Sequence, residues 1–282
     1  MTTILTAGPA SVDTGPFEPP HTLTGQFHIL RQFRSLALQN ERDILVYLPP
    51  GYDHDPARRY PVLYMHDGQN LFDAVTAFAG QEWHLDETAE ALIGAGHIAP
   101  LIIVGVGHAG VARAEELTPS RDPRHKAGGS AAAYTRLIVD EVKRYIDEHY
   151  RTRPDRDHTG TGGASLGGLI SLWLGVTAPE TFSRLLVMSP SLWWDRRSLL
   201  QRVRAGNEKL PLRIWLDVGT EEGGGTLQNA RMLKNALLRR GWTFTDDLRY
   251  LEARGHGHNE GAWAARAAAA LEFLFPPHDE GR

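Results

Sequence analysis

Apolar residues recur along this chain in two alternating rhythms. Short apolar runs bounded by glycine, proline or charge predict strands at residues 43–48, 62–65, 101–106, 158–162, 185–188, 213–218 and 247–251. Between them, apolar positions three and four apart predict helices at 83–95, 134–149, 169–178, 229–240 and 263–275. Within the second of these, Tyr134, Ile138, Val142, Tyr145 and His149 fall on one stripe. Strands and helices alternating in this way imply a mostly parallel sheet covered by helices on both faces, the α/β class. Residues 1–20, with Pro9, Pro16, Pro19 and Pro20, read as a flexible extension. Residues 21–282 read as a single domain, because no linker, repeat or low-complexity tract divides them.

Composition narrows the picture. The 282 residues are 41% hydrophobic and 23% charged, as expected of a soluble globular chain. A formal net charge of −4 gives no reason to expect nucleic acid or an anionic membrane as partner. There is no cysteine, so disulfides, thiolate metal sites and cysteine nucleophiles are excluded. The N-terminus lacks a basic segment followed by an apolar core, and a cytoplasmic location is the expectation.

The candidate chemistry begins at Gly163-Ala-Ser165-Leu-Gly167, a G-x-S-x-G frame. A serine hydroxyl is a weak nucleophile unless a sharp strand-to-helix turn presents it to a base and leaves the next backbone N–H free for an oxyanion. Glycine can arise at such spacing by chance among 29 glycines, so the downstream partners matter. The predicted strand ending at Val218 leads into Gly219-Thr-Glu221-Glu222, and Asp217, Glu221 and Glu222 are all candidate acids. A later loop supplies His256 and His258. The order nucleophile, acid, histidine is that of α/β-hydrolases. His256-x-His258 is half a metal site at most, and without cysteine or H-E-x-x-H no metal or other cofactor is expected. Gly105-Val-Gly-His-Ala-Gly110 matches G-x-G-x-x-G, but the long helix and acidic ribose ligand of a dinucleotide site do not follow. Trp193 and Trp194 follow a strand end and read as core filler or pocket wall.

Four segments carry a resemblance: Ser165-Leu-Gly-Gly168, the stretch from Tyr60 to Asp73, Leu216-Asp-Val-Gly-Thr-Glu-Glu222, and His258-Asn-Glu-Gly-Ala-Trp263. Over roughly residues 20 to 276 the chain resembles the esterase family of α/β-hydrolases that includes esterase D (S-formylglutathione hydrolase), enterochelin-type siderophore esterases, feruloyl esterases and mycolyltransferases. The resemblance implies Ser165 as nucleophile, Glu222 as acid and His258 as base. It also implies an oxyanion hole from the backbone N–H groups of Leu166 and Gln69, and Arg113 as a substrate contact. Family members often carry aspartate at the acid position, which leaves Glu221 and Asp217 as fallbacks. The expected activity is serine-dependent hydrolysis of a small or aromatic ester. Acyl transfer on the same triad, or a binding protein without catalysis, are the alternatives.

Overall fold

In the computed structural model, which describes residues 6–277, nine strands form one sheet in the order β1-β2-β3-β5-β4-β6-β7-β8-β9. The strands are β1 (Ser11–Asp13), β2 (Gln26–Ser35), β3 (Asn40–Leu48), β4 (Val62–His66), β5 (Ile102–Val106), β6 (Thr159–Ala164), β7 (Arg184–Met188), β8 (Arg213–Gly219) and β9 (Leu248–Ala253). From β1 to β5 the neighbours are antiparallel; from β5 through β9 they are parallel. The mostly parallel α/β sheet is thus observed, with an antiparallel edge.

The seven predicted strands lie within a few residues of β3 to β9; β4, β5, β7 and nearly all of β8 are buried on both faces, and β4, β5 and β7 read as apolar runs. Two strands were not foreseen. In β2 the alternation of Phe27, Ile29 and Phe33 is interrupted by a bulge between Leu30 and Phe33, where Gln32 takes φ 48°. The three-residue β1 lies in the leading proline-rich segment and pairs with β2 through Ser11 and Arg31.

Helices α1 (Leu85–Gly94) and α8 (Glu260–Leu274) cover one face, meeting Leu63, Met65, Leu186 and Met188. The opposite face meets Tyr64, Val104, Val187 and Leu216 and carries the remaining long helices. These are α3 (Ala131–Arg136) and α4 (Arg144–His149) joined by a π-helical stretch, α5 (Leu166–Thr177), α6 (Trp194–Ala205) and α7 (Thr226–Arg239). Side chains of successive strand residues enter opposite cores, as the two-residue period of a strand requires. Helix α6 was not predicted: Trp194, Leu199, Leu200 and Val203 are its buried residues, too few for a clear stripe, and residues 195–197 turn left-handed before it becomes regular. A short α2 (Arg113–Glu116) follows β5. Among the described residues no helix is long and apolar enough to cross a membrane.

The chain runs from β4 outward to β5, then returns to the other side of β4 to lay down β6. That reversal opens a crevice at the C-terminal ends of β4 and β6, where open α/β sheets place ligands.

Candidate active site

Ser165 occupies the turn between β6 and α5 with φ 60° and ψ −119°, a conformation reached only when the surroundings enforce it. Its N–H donates to Met188 O at 3.1 Å and its carbonyl accepts from Ser191 N at 2.9 Å. A Cβ on Gly163 would stand 3.0 Å from the Gly167 backbone, so a side chain there would push strand and helix apart.

Ser165 Oγ lies 3.0 Å from His258 Nε2, and His258 Nδ1 lies 2.8 Å from Glu222 Oε2. A carboxylate only accepts, so Nδ1 carries the proton and Nε2 is left to accept from Ser165. The Trp263 ring meets the imidazole edge-on, with centroids 5.0 Å apart, and restrains its rotation.

Glu222 is buried, and its other oxygen, Oε1, accepts from Ser189 Oγ at 2.5 Å and Gly219 N at 2.7 Å. Ser189 Oγ in turn accepts from Trp263 Nε1 and Arg266 Nη2, so its own proton is committed to Glu222. Burial pushes the Glu222 carboxyl up, but the hydrogen bonds from His258, Ser189 and Gly219 outweigh it and hold the group below its ordinary value. Gly219 is needed for close approach: a Cβ there would stand 2.1 Å from His256 O, in the loop that carries His258.

The two fallback acids lie elsewhere. Asp217 is fully buried, accepts from Trp215 Nε1 at 2.7 Å, and sits 3.1 Å from Arg266 Nη2 in an ion pair off the hydrogen-bond line. Burial raises its carboxyl despite the Arg266 charge. Glu221 is exposed, and its backbone N–H donates to His256 O. His256 faces the protein rather than the cleft, with Nδ1 accepting from Arg266 Nη1 at 3.1 Å.

Leu166 opens α5, and Gln69 lies within a 3₁₀ turn of Gly68–Asn70 at the end of β4. N–H groups in the first turn of a helix have no acceptor within it, which leaves both available to an oxyanion. The turn is anchored by Asp67, in the left-handed region at φ 57°, through a two-pronged ion pair with Arg113: Nε to Oδ1 at 2.6 Å and Nη2 to Oδ2 at 2.7 Å. Arg113 lines the cleft, with one edge of its guanidinium committed to Asp67.

The cleft holds about 320 Å³. Trp193 and Trp194 are not among the residues lining it, which sets aside the pocket-wall reading, and the substrate contact it implied, of the two. Both pack on His125, and Trp194 is buried with its Nε1 donating to Ser120 O. The aromatic walls are Phe78, Trp83 and Trp263 instead, and Asn70 and Glu260 add polar groups. Ser189, Arg266, Asn70 and Glu260 belong to the site without a motif in the sequence to mark them. Ser189 could have been flagged by its place directly after the buried strand β7; the others carry no local signal.

Outside the cleft, Glu82, His84 and Glu87 bring one potential metal-ligand atom each within 4.8 Å of one another. Glu82 already accepts from Thr22 Oγ1 and the neighbouring Asp86 from Thr24 N, so this group anchors the leading segment to α1.

His66, behind the Asp67 turn, is wholly buried between Tyr134 OH at 2.9 Å and Thr161 Oγ1 at 3.1 Å. Burial pushes its imidazole down to about 4. The unfolded chain binds this proton first, so the effect is absent above about pH 6.5 and destabilises the fold as pH falls, by about 3 kcal/mol once pH 4 is reached. Denaturant titrations of wild type and His66→Asn at several pH values should show the difference between the two curves changing across that window. A constant difference would mean that burial does not shift the His66 imidazole.

The family model described as "Putative esterase" matches residues 35–274. An iron(III) enterobactin esterase of Dickeya dadantii is 29% identical over 242 residues, covering 79% of this chain and 49% of that protein, so the chain spans about half of that relative. The Bacillus subtilis protein YbbA is 24% identical over 249 residues, 83% of this chain and 92% of its own length. The crystal structure of the BES protein from Bacillus cereus superposes with a TM-score of 0.72 at 23% identity, covering 93% of this chain and 99% of that one. The match over β3 to β9, the elbow and the histidine loop places the chain in this esterase family, as a carboxylic ester hydrolase on an α/β-hydrolase fold.

Proposed function

We propose that the protein cleaves its ester through an acyl-enzyme on Ser165, with a small or aromatic ester as substrate. The observation that carries this reading is the unbroken hydrogen-bonded line Ser165–His258–Glu222, at 3.0 and 2.8 Å. His258 Nε2 takes the hydroxyl proton as Ser165 Oγ attacks the carbonyl carbon. The charge that develops on the carbonyl oxygen is met by the N–H groups of Leu166 and Gln69, while Glu222 stabilises the imidazolium. The imidazolium then gives its proton to the leaving alcohol, and water, deprotonated by the same nitrogen, releases the acid and restores Ser165.

The cleft suits a compact or aromatic group better than a long lipid, because its walls are Phe78, Trp83 and Trp263 within about 320 Å³. The enterobactin esterase relative makes catecholate trilactones one class to try. Labelling by a fluorophosphonate, with the adduct mapped to Ser165, tests the nucleophile. Turnover of p-nitrophenyl, feruloyl, S-formylglutathione and catecholate-trilactone esters tests the substrate class. A protein that neither labels nor turns over any of them would end the proposal.

The base can be singled out among the 13 histidines. It must be neutral to accept the Ser165 proton, so kcat/KM is expected to rise with pH through one imidazole ionisation. His258→Gln should lose turnover. His256→Gln should keep most turnover and the same acidic limb, because His256 faces Arg266 rather than Ser165. The opposite pair of results would move the base to His256.

A further inference from the structure

We infer that the cleft contains a subsite for a protonated amine, formed by the Glu260 carboxylate and the aromatic rings of Phe78, Trp83 and Trp263. The inference rests on the ester-hydrolase reading above and adds a recognised substrate group to it.

The charges around Ser165 are unevenly matched. Asp67 and Arg113 form a bidentate pair, and Arg113 feels the Glu260 charge as well, but more weakly than that of Asp67 and without a hydrogen bond. Glu260 also lines the cleft, but its hydrogen bond comes from the neutral Asn70 Nδ2, at a long 3.5 Å. It heads α8, beyond the Asn259 cap whose Oδ1 accepts from Ala262 N at 2.9 Å. An ionised carboxylate only accepts hydrogen bonds, so the group it suits is a donor, and best a cationic one.

Asn70 holds the other parts of the subsite in place. Its Oδ1 accepts from Phe78 N at 3.0 Å, its carbonyl accepts from Trp83 N at 2.9 Å, and its Nδ2 faces Glu260. Phe78 is 72% exposed although it borders the cleft, and the Trp83 and Trp263 rings lie 5.7 Å apart at a tilt. The exposed Phe78 ring, with Trp83 and Trp263 lining the cleft from otherwise buried positions, stands beside one acceptor-only carboxylate and matches an ammonium group, which ring quadrupoles and carboxylate both attract.

The test compares three esters of one alcohol and one chain length whose acyl ends carry an ammonium, a methyl or a carboxylate group. For wild type the expected order of kcat/KM is ammonium, then methyl, then carboxylate, with steps of about tenfold at low salt that shrink as ionic strength rises. In Glu260→Gln the ammonium-to-methyl ratio should fall toward one. Wild-type ratios within about twofold of one, or ratios unchanged in Glu260→Gln, would overturn the subsite while leaving the esterase reading standing. If the methyl ester is not turned over at all, and Ser165 does not label, the esterase reading itself fails.

Discussion

Ser165→Ala is expected to lower kcat by roughly 10⁴- to 10⁶-fold, the usual loss when one member of a catalytic unit is removed. The fold should survive, because the backbone of the turn is held by Met188 O and Ser191 N rather than by the hydroxyl. Ser191 Oγ lies 3.2 Å from Ser165 Oγ and is the nearest hydroxyl that could substitute. Ser191→Ala should therefore accompany the test: it should still label with a fluorophosphonate, whereas Ser165→Ala should not. If Ser165→Ala retained more than a few per cent of turnover with an intact circular dichroism spectrum, the nucleophile would have to be sought elsewhere.

Glu222→Gln is expected to cost on the order of 10⁴ in kcat, since an amide can offer His258 Nδ1 a donor and so favour the wrong tautomer. Glu221→Gln should leave turnover near wild type, because Glu221 is exposed and contacts the histidine loop only through its backbone. Asp217→Asn should show chiefly as lost stability, of about 3 kcal/mol, because it removes the buried charge beside Arg266. Acid sensitivity separates the two buried carboxylates further. Glu222 is held below its ordinary value of 4.5, so its contribution to stability is full above that value and lost as pH falls through the lower, folded one. Glu222→Gln should lack that part of the acid transition. A larger kinetic loss in Glu221→Gln would place the acid one residue earlier, contrary to the 2.8 Å contact.

The strands β3 to β9 and the long helices α1, α5, α7 and α8 were legible in the sequence because most of them bury an apolar run or an apolar stripe. A doubly covered strand is an apolar run, and a helix packed on one side is an apolar stripe. The elbow was legible for a different reason: the turn at Ser165 demands small neighbours, and that demand is written within five residues. The order of Ser165, Glu222 and His258 along the chain was equally readable, given the resemblance. Where the pattern failed, the backbone broke its own period, at the bulge of β2 near Gln32 and at the left-handed start of α6.

Tertiary structure alone decided which groups face one another. Asp217 and Glu222 stand five residues apart at the same strand end, yet one is turned to Trp215 and Arg266 and the other to His258. Nothing local distinguishes them, because the choice depends on where β9 and its loop pass behind β8. Trp193 and Trp194 likewise followed a strand end, but loop residues Ser120 and His125 claimed them, and the cleft received Phe78, Trp83 and Trp263 from other segments. Glu260 and Asn70 met only because the reversal at β4 opened a crevice between them, 190 residues apart in sequence. Residue type and periodicity record what a position requires of its immediate neighbours. They do not record which distant segment will supply the other half of a contact, and the cleft is built almost entirely from such halves.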